Sequence, residues 1–283
     1  MGRLLDHSRD PIARLYGGTA SADVVVLGNS RAYRNIDVAA LGRGFEGRVI
    51  SLALPGTSME VSSALFDDYL GRYGAPRVLV IELSALFSDE GSLKDLRAFA
   101  SRSGRIDDLM QEYFPTLRYA GVVSRLFNYN SVFVLNAVHK VFAPLPDPLL
   151  DGALPPQAGA IPPGRYFVPR DENIAPATAL MDTARRCGIE VRLLLTPVVP
   201  AYAAANRIDA LRSTAVQIAD GARIWDFADN PPTEPRYFVD PSHLNREGVR
   251  LLMERLAAQG FFAKTEGQPG AGGGCQPKFQ SPR

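Results

Sequence analysis

The turn after the first apolar run of the chain places a serine where nucleophilic chemistry is possible. This turn reads Gly28-Asn29-Ser30-Arg31, and Ser30 stands where the next helical segment begins. Backbone N–H groups at a helix N-terminus can stabilise an oxyanion beside such a serine. Two other interpretations stay open: an ordinary helix N-cap at Ser30, and a phosphate-binding turn, although neither glycine-rich phosphate motif occurs in the sequence.

A second chemical feature lies near the C-terminus, where Asp240 precedes His243 by three residues. On a single turn the carboxylate can bond one imidazole nitrogen and leave the other directed at a serine. A helix start is the alternative, because aspartate followed by proline is a common helix opening. For neither feature taken alone is a catalytic role favoured over a helix cap. The relative placement of the two features therefore has to decide between these interpretations.

The elements that would position these residues are short apolar runs alternating with helical patterns. The expected strands are Asp23–Gly28, Arg48–Leu52, Arg77–Glu82, Val191–Thr196 and Ala222–Asp226. The expected helices are Ser58–Tyr73, Ala175–Cys187, Asn206–Ala219 and Asn245–Gln259. This alternation predicts an α/β protein with a parallel sheet in a three-layer α/β/α sandwich. Because parallel strands end at one edge, a serine after the first strand and an Asp–His pair after the last can meet there.

Residues 91–170 interrupt the alternation and are interpreted as an insertion between the third and fourth strands. They read as helical to about Phe142 and then as a proline-rich loop, a candidate cap over the active face. Residues 1–263 are predicted to form a single domain. Residues 264–283, rich in glycine and poor in apolar residues, are predicted to be disordered.

Composition excludes several classes of protein. With 31 basic and 30 acidic residues the chain has no charge excess to hold a nucleic acid. His7 and His139 lack partners at ligand spacing, so we expect no metal, and nothing indicates a cofactor. Cys187 and Cys275 are expected to stay unpaired. No export signal or membrane span is readable, so the chain is expected to be soluble as written, with its compartment undetermined and an upstream anchor left open.

The motifs resemble those of the SGNH (GDSL-like) hydrolases. Gly28–Ser30 is similar to the GDS block of this family, Asp240–His243 to its terminal D-x-x-H block, and Leu54–Gly56 to its glycine block. The resemblance covers about residues 23–83 and 191–259 and implies the flavodoxin-like five-stranded sheet of the family. The motif GNSR followed by the motif LALPG is most similar to the branch of this family related to bacterial polysaccharide and cell-wall O-acylation proteins.

The resemblance implies ester chemistry. Ser30 would be the nucleophile, His243 the general base and Asp240 its orienting carboxylate, with the N–H groups of Ser30 and Gly56 forming an oxyanion hole. A small acyl group, such as acetyl on a glycan, is the implied substrate, handled by hydrolysis or by transfer. Expected partners are thus a small acyl ester or an O-acylated glycan, with membrane-associated polysaccharide machinery as a further possibility.

One block departs from the family pattern. After the third strand the family carries G-x-N-D, whose asparagine donates to the oxyanion, but the segment Ile81–Ala85 has no asparagine. Ser84, Asn128 or Asn130 is the expected substitute, and loss of such a donor costs ~2.7–4 kcal/mol of transition-state stabilisation. A non-catalytic carbohydrate-binding or polysaccharide-assembly protein is therefore one rival, and a lipid or thioester hydrolase is another.

Five further residues are candidates for substrate binding: Asn29, Arg31, Tyr33, Thr196 and Tyr237. Arg31 and Tyr33 would line the mouth of the site, and Thr196 would form a pocket wall. Tyr237 would stack on a sugar. For the arginine and the first tyrosine the alternative is a solvated helix start, and for Tyr237 it is packing in the core.

Overall fold

The structure, a computed structural model, describes residues 10–128, 147–155, 164, 166–230 and 232–263. Its centre is a five-stranded parallel sheet in the order β2-β1-β3-β4-β5. The strands are β1 Val24–Leu27, β2 Val49–Ser51, β3 Val78–Glu82, β4 Glu190–Leu195 and β5 Ile224–Asp226. This order is flavodoxin-like and confirms the predicted α/β class.

The central strands form because their sequences are apolar and largely β-branched. Every residue of β1 and of β3 is buried, as expected for parallel strands covered on both faces. In register, Val25 lies between Ile50 of β2 and Leu79 of β3. The edge strands β2 and β5 have three residues each and are only partly buried, which limits the exposed sheet edge.

Helices cover both faces of the sheet and complete the predicted three layers. In chain order they are α1 Pro11–Gly17, α2 Ser30–Asn35, α3 Val38–Gly44, α4 Met59–Tyr73, α5 Leu93–Leu96, α6 Gly104–Tyr113, α7 Pro115–Val123, α8 Arg125–Asn128, α9 Asp171–Arg186, α10 Pro200–Ala205, α11 Ile208–Ala219 and α12 Arg246–Ala258. One apolar cluster joins the sheet to α1, α4, α6, α9 and α11. The other joins its opposite face to α2, α3 and α12.

The segment between β3 and β4 is helical in its described part. Two 3-10 helices, η1 Leu83–Phe87 and η2 Arg97–Arg102, alternate there with α5 to α8. The predicted end of this helical region at Phe142 and most of the proline-rich loop fall outside the described residues. Residues 147–155 run beside the C-terminal motif, where the Arg246 N–H donates to the carbonyl of Leu150 at 2.8 Å.

Two expectations are corrected by the structure. Cys187 is disulfide-bonded rather than unpaired, while Cys275 and the predicted disordered segment 264–283 lie outside the described residues. The helix predicted from Ala175 begins at Asp171 and carries Pro176 inside it. Among the described residues, no helix combines the length and the apolar character that crossing a membrane requires.

Candidate active site

The turn after β1 has a backbone that only glycine tolerates. Gly28 has a φ of 140°, and a Cβ built there would lie 2.7 Å from the Cβ of Ala32 and 3.0 Å from the carbonyl oxygen of Glu82. The absence of a side chain therefore lets α2 start directly over the end of the sheet. This close approach places Ser30 at the carboxyl edge.

The helix cap at this turn is Asn29 and not Ser30. The Asn29 side chain accepts a hydrogen bond from the Arg31 N–H at 2.9 Å, and Ser30 is the first helical residue. The ordinary-cap interpretation of Ser30 is therefore wrong. Since Asn29 satisfies the helix N-terminus, the Ser30 hydroxyl is left for another partner.

That partner is His243. Asp240 and His243 lie opposite each other on a two-stranded antiparallel ladder that follows the 3-10 helix η3 Pro235–Tyr237. The ladder is formed by β6 Phe238–Asp240 and β7 His243–Leu244. The imidazole Nε2 of His243 lies 2.9 Å from Ser30 Oγ, and its Nδ1 lies 2.7 Å from Asp240 Oδ2. The helix-start interpretation of Asp240 is wrong as well, because the cap of α12 is Asn245.

The Asp240 carboxylate is held by several donors. Its second oxygen, Oδ1, accepts hydrogen bonds from the N–H of Ser242 at 2.9 Å and from the N–H of His243 at 3.0 Å. Burial alone would raise the pKa of Asp240, but hydrogen bonds from His243 and Ser242 outweigh it and lower the pKa to about 2. The carboxylate is therefore ionised at neutral pH, which fixes the proton of His243 on Nδ1 and leaves Nε2 to accept from Ser30.

Asn35 holds the histidine loop against the serine helix, a role that the sequence did not indicate. Its buried side chain donates to the carbonyl of Ser242 at 3.2 Å and accepts from the N–H of Leu244 at 2.9 Å. These two backbone groups flank His243, and Asn35 is the last residue of the helix that begins with Ser30. Its partners lie 207 and 209 residues away, so no local pattern could reveal the contact.

A buried ion pair lies under the nucleophile turn. The side chains of Arg31 and Glu82 are both fully buried, with Arg31 Nε 3.8 Å from Glu82 Oε1. Arg31 also donates to the backbone carbonyl of Thr196, and Glu82 accepts from the Thr196 hydroxyl at 3.1 Å. Arg31 and Thr196 were predicted to contact substrate, but the structure buries both residues completely. Glu82 was missed, although a carboxylate ending an apolar strand was visible in the sequence.

The other three candidates for substrate binding are buried or half-buried. Tyr237 is 8% exposed and packs in the apolar cluster with α12, so the core interpretation holds. Asn29 is buried in its capping role. Tyr33 is half-buried at the edge of that cluster, with the Arg34 guanidinium 5.0 Å from its ring centre.

Two backbone N–H groups, those of Ser30 and Gly56, were predicted to form the oxyanion hole. Gly56 lies in a turn whose Leu54 N–H donates to the Gly28 carbonyl at 3.2 Å, which ties this turn to the nucleophile turn. Neither the Gly56 N–H nor the Ser30 N–H donates a hydrogen bond to any other described residue. These two N–H groups could therefore donate to an oxyanion without first breaking an existing hydrogen bond.

The structure does not support the expected replacements for the missing asparagine. The buried Ser84 hydroxyl is engaged by Asn29 Oδ1 at 2.6 Å and by the Glu82 carboxylate. Asn128 donates to the Gly121 carbonyl at 3.1 Å, and Asn130 falls outside the described residues. Ser88, which the sequence did not single out, accepts from Asn29 Nδ2 at 2.7 Å and keeps its own hydroxyl proton.

In the part of the chain that the structure describes, no three metal-ligating side chains are grouped to hold an ion. No protein-family model matches the chain, and no curated protein matches it either. The chemistry of the site has to be inferred from its geometry.

Proposed function

We propose that the protein is a serine-dependent acyl-ester hydrolase or O-acyltransferase of the SGNH type, acting on an acylated glycan. One observation carries this proposal: an unbroken hydrogen-bond chain runs from Asp240 through His243 to Ser30, with links of 2.7 and 2.9 Å. A carboxylate, an imidazole and a hydroxyl in this order are the arrangement that activates serine as a nucleophile.

In the proposed reaction, Ser30 Oγ attacks the ester carbonyl carbon while His243 Nε2 takes its proton. The N–H groups of Ser30 and Gly56 stabilise the oxyanion, with the Ser88 hydroxyl as a third donor. The tetrahedral intermediate collapses, the bond to the alcohol oxygen breaks, and His243 returns the proton to that oxygen. Water or a sugar hydroxyl, deprotonated by His243, then attacks the carbonyl carbon of the acyl-serine. The acyl–Oγ bond breaks, His243 returns the proton to Ser30 Oγ, and an acid or a new ester is released.

A second candidate function follows from the same edge of the sheet. The segment after β3 offers no asparagine, and the Ser84 hydroxyl is already engaged, so the oxyanion site would have the Ser88 hydroxyl in place of a side-chain amide. A carbohydrate-binding or polysaccharide-assembly protein with little turnover would share the fold and the three polar residues. The two functions differ in whether Ser30 becomes acylated.

The test is covalent labelling of Ser30 with a fluorophosphonate, together with turnover of p-nitrophenyl acetate. We expect the native chain to be labelled, and the Ser30→Ala variant to lose both labelling and at least ~10³-fold in kcat/KM. Ser213→Ala, which removes an exposed hydroxyl on α11, is the matched control and should behave as the native chain. Absence of an adduct on Ser30, with equal turnover by Ser30→Ala, would favour the non-catalytic function.

A further inference from the structure

Four aromatic rings pack together beside the proposed active site. This aromatic platform consists of Phe87, Tyr166, Phe167 and Tyr202. Tyr166 lies at its centre, with ring centres 4.8 Å from Phe87, 5.0 Å from Phe167 and 5.6 Å from Tyr202. Phe167 is fully buried, whereas Tyr166 is 41% exposed and the other two rings are half-buried. The platform is therefore an accessible aromatic surface resting on a buried ring.

On one side the platform adjoins the serine turn. The guanidinium of Arg31, the residue after Ser30, lies 5.6 Å from the ring centre of Phe167. Phe87 is followed by Ser88, whose hydroxyl accepts from Asn29 at 2.7 Å. Phe167 therefore contacts Arg31 directly, and Phe87 is connected to Asn29 through its neighbour Ser88. Asn29 and Arg31 are the two residues that flank Ser30.

On the other side the platform adjoins the Asp–His loop. The Val199 N–H, which precedes α10 and Tyr202, donates to the carbonyl of Pro241 at 3.0 Å. Burial raises the pKa of Tyr166, the charge of Arg31 lowers it and the charge of Asp240 raises it further, so both charges act on this phenol. The platform therefore extends from the serine turn to the loop that carries the histidine.

The chemistry of this surface suits a sugar better than an acyl chain. An acyl chain is best held in an enclosed apolar channel, but here Tyr166 is 41% exposed and Tyr202 is half-buried. A pyranose has an apolar C–H face that stacks on an aromatic ring and hydroxyls that bond to phenol groups at its edge. We propose, on the basis of the proposed function, that the aromatic platform binds the sugar ring that carries the ester.

The experiment compares two acetate esters that differ only in the alcohol: an acetylated methyl glucopyranoside and ethyl acetate. Tyr166→Ala and Tyr202→Ala should each raise KM for the glycoside about 10-fold, as loss of one stacking contact predicts, and leave kcat/KM for ethyl acetate within about twofold. Tyr166→Phe should retain most of the glycoside binding, because the ring remains. Tyr119→Ala, at a tyrosine that is 70% exposed on α7, is the matched control.

Equal effects of the platform variants on both esters would overturn the proposal, and so would an unchanged KM for the glycoside. A larger loss on p-nitrophenyl octanoate than on the glycoside would assign the platform to the acyl chain and would also overturn it. Binding of the glycoside to Ser30→Ala protein, followed by saturation-transfer NMR with and without Tyr166→Ala, tests the platform even without turnover. Fluorophosphonate labelling of native Ser30 separately reports on the proposed function.

Discussion

The helix cap at Asn29 decides what Ser30 can do. The side-chain oxygen of a serine that caps a helix accepts a hydrogen bond from a backbone N–H of that helix. Here the side-chain oxygen of Asn29 is the acceptor instead, for the N–H of Arg31. The Ser30 hydroxyl can then donate to His243, whose other nitrogen faces Asp240. The same residue types that suggested two helix starts are thus joined in one hydrogen-bonded chain.

Asp240 gives a prediction for the stability of the fold in acid. Because its pKa is lowered to about 2, the carboxylate stabilises the folded state above its unfolded pKa of about 4. That contribution is lost as the pH falls from about 4 through 2. Since the side chain is 47% exposed, we expect only a modest effect. Asp240→Asn should flatten the fall in unfolding free energy over this range, measured by urea denaturation at a series of pH values.

The same variant should also reduce kcat for p-nitrophenyl acetate on the order of 10³-fold, because an amide no longer fixes the imidazole tautomer. Asp209→Asn, at a carboxylate that is 91% exposed on α11, is the control for both measurements. Parallel stability profiles for Asp240→Asn and the native chain between about pH 4 and 2 would contradict the assigned role of the carboxylate.

At the scale of elements, the distance between nucleophile and base is set by the contact between α2 and the β6–β7 ladder. Asn35 forms this contact, since its amide bonds the backbone on both sides of His243. Ser30 and Asn35 are the two ends of one short helix. A rigid helix clamped at its far end therefore holds its first residue at hydrogen-bonding distance from the imidazole.

Asn35→Ala should consequently weaken catalysis more than substrate binding. We expect kcat for p-nitrophenyl acetate and the rate of fluorophosphonate labelling to fall on the order of 10-fold or more, with KM changed less than about twofold. The unfolding free energy should drop by about 1–3 kcal/mol, because buried backbone groups lose their partner.

Asn230→Ala provides the comparison for the asparagine clamp. Asn230 is exposed and donates to the carbonyl of Asp226 at 2.9 Å, so its removal takes away an amide–carbonyl bond that does not involve the loop carrying His243. Asn35→Asp keeps the acceptor for Leu244 but loses the donor, and its labelling rate should be intermediate. If Asn35→Ala were labelled as fast as Asn230→Ala, Asn35 would have no positioning role.

At the scale of the whole molecule, the buried Arg31–Glu82 pair joins three parts of the sheet. Arg31 belongs to the helix after β1, Glu82 ends β3, and both bond to Thr196 directly after β4. The site therefore rests on a charged network inside the fold. Two fully buried charges of this kind tolerate the loss of one partner poorly, because the other remains without compensation.

A double-mutant cycle tests this network. Glu82→Leu alone should lower the unfolding free energy by about 3–5 kcal/mol, since it leaves the Arg31 guanidinium buried without a carboxylate. Adding Arg31→Met should restore part of that loss, so that the double variant is more stable than the sum of the single effects. Urea denaturation of the four proteins measures the coupling. Additive losses would show that the two charges do not depend on each other.

The sequence determined the features that depend on local pattern. Apolar, β-branched runs between helical stretches predicted the parallel sheet, because a strand buried on both faces must be apolar throughout. Ser30 and the Asp240–His243 pair were identifiable because Ser30 lies directly after a predicted strand and the pair lies directly before a predicted helix. Their meeting followed from the rule that parallel strands end at one edge of a sheet.

Tertiary structure alone decided which polar residues are buried and which groups they meet. Arg31 and Thr196 looked like substrate contacts from their positions after strands, yet both are buried, Arg31 in an ion pair with Glu82 and Thr196 in a hydrogen bond to the same carboxylate. Asn35 could not be recognised, since its partners are backbone atoms more than 200 residues away. Hydrogen bonds between distant segments depend on the packed arrangement of the whole chain, whereas strand and turn formation depends on neighbouring residues.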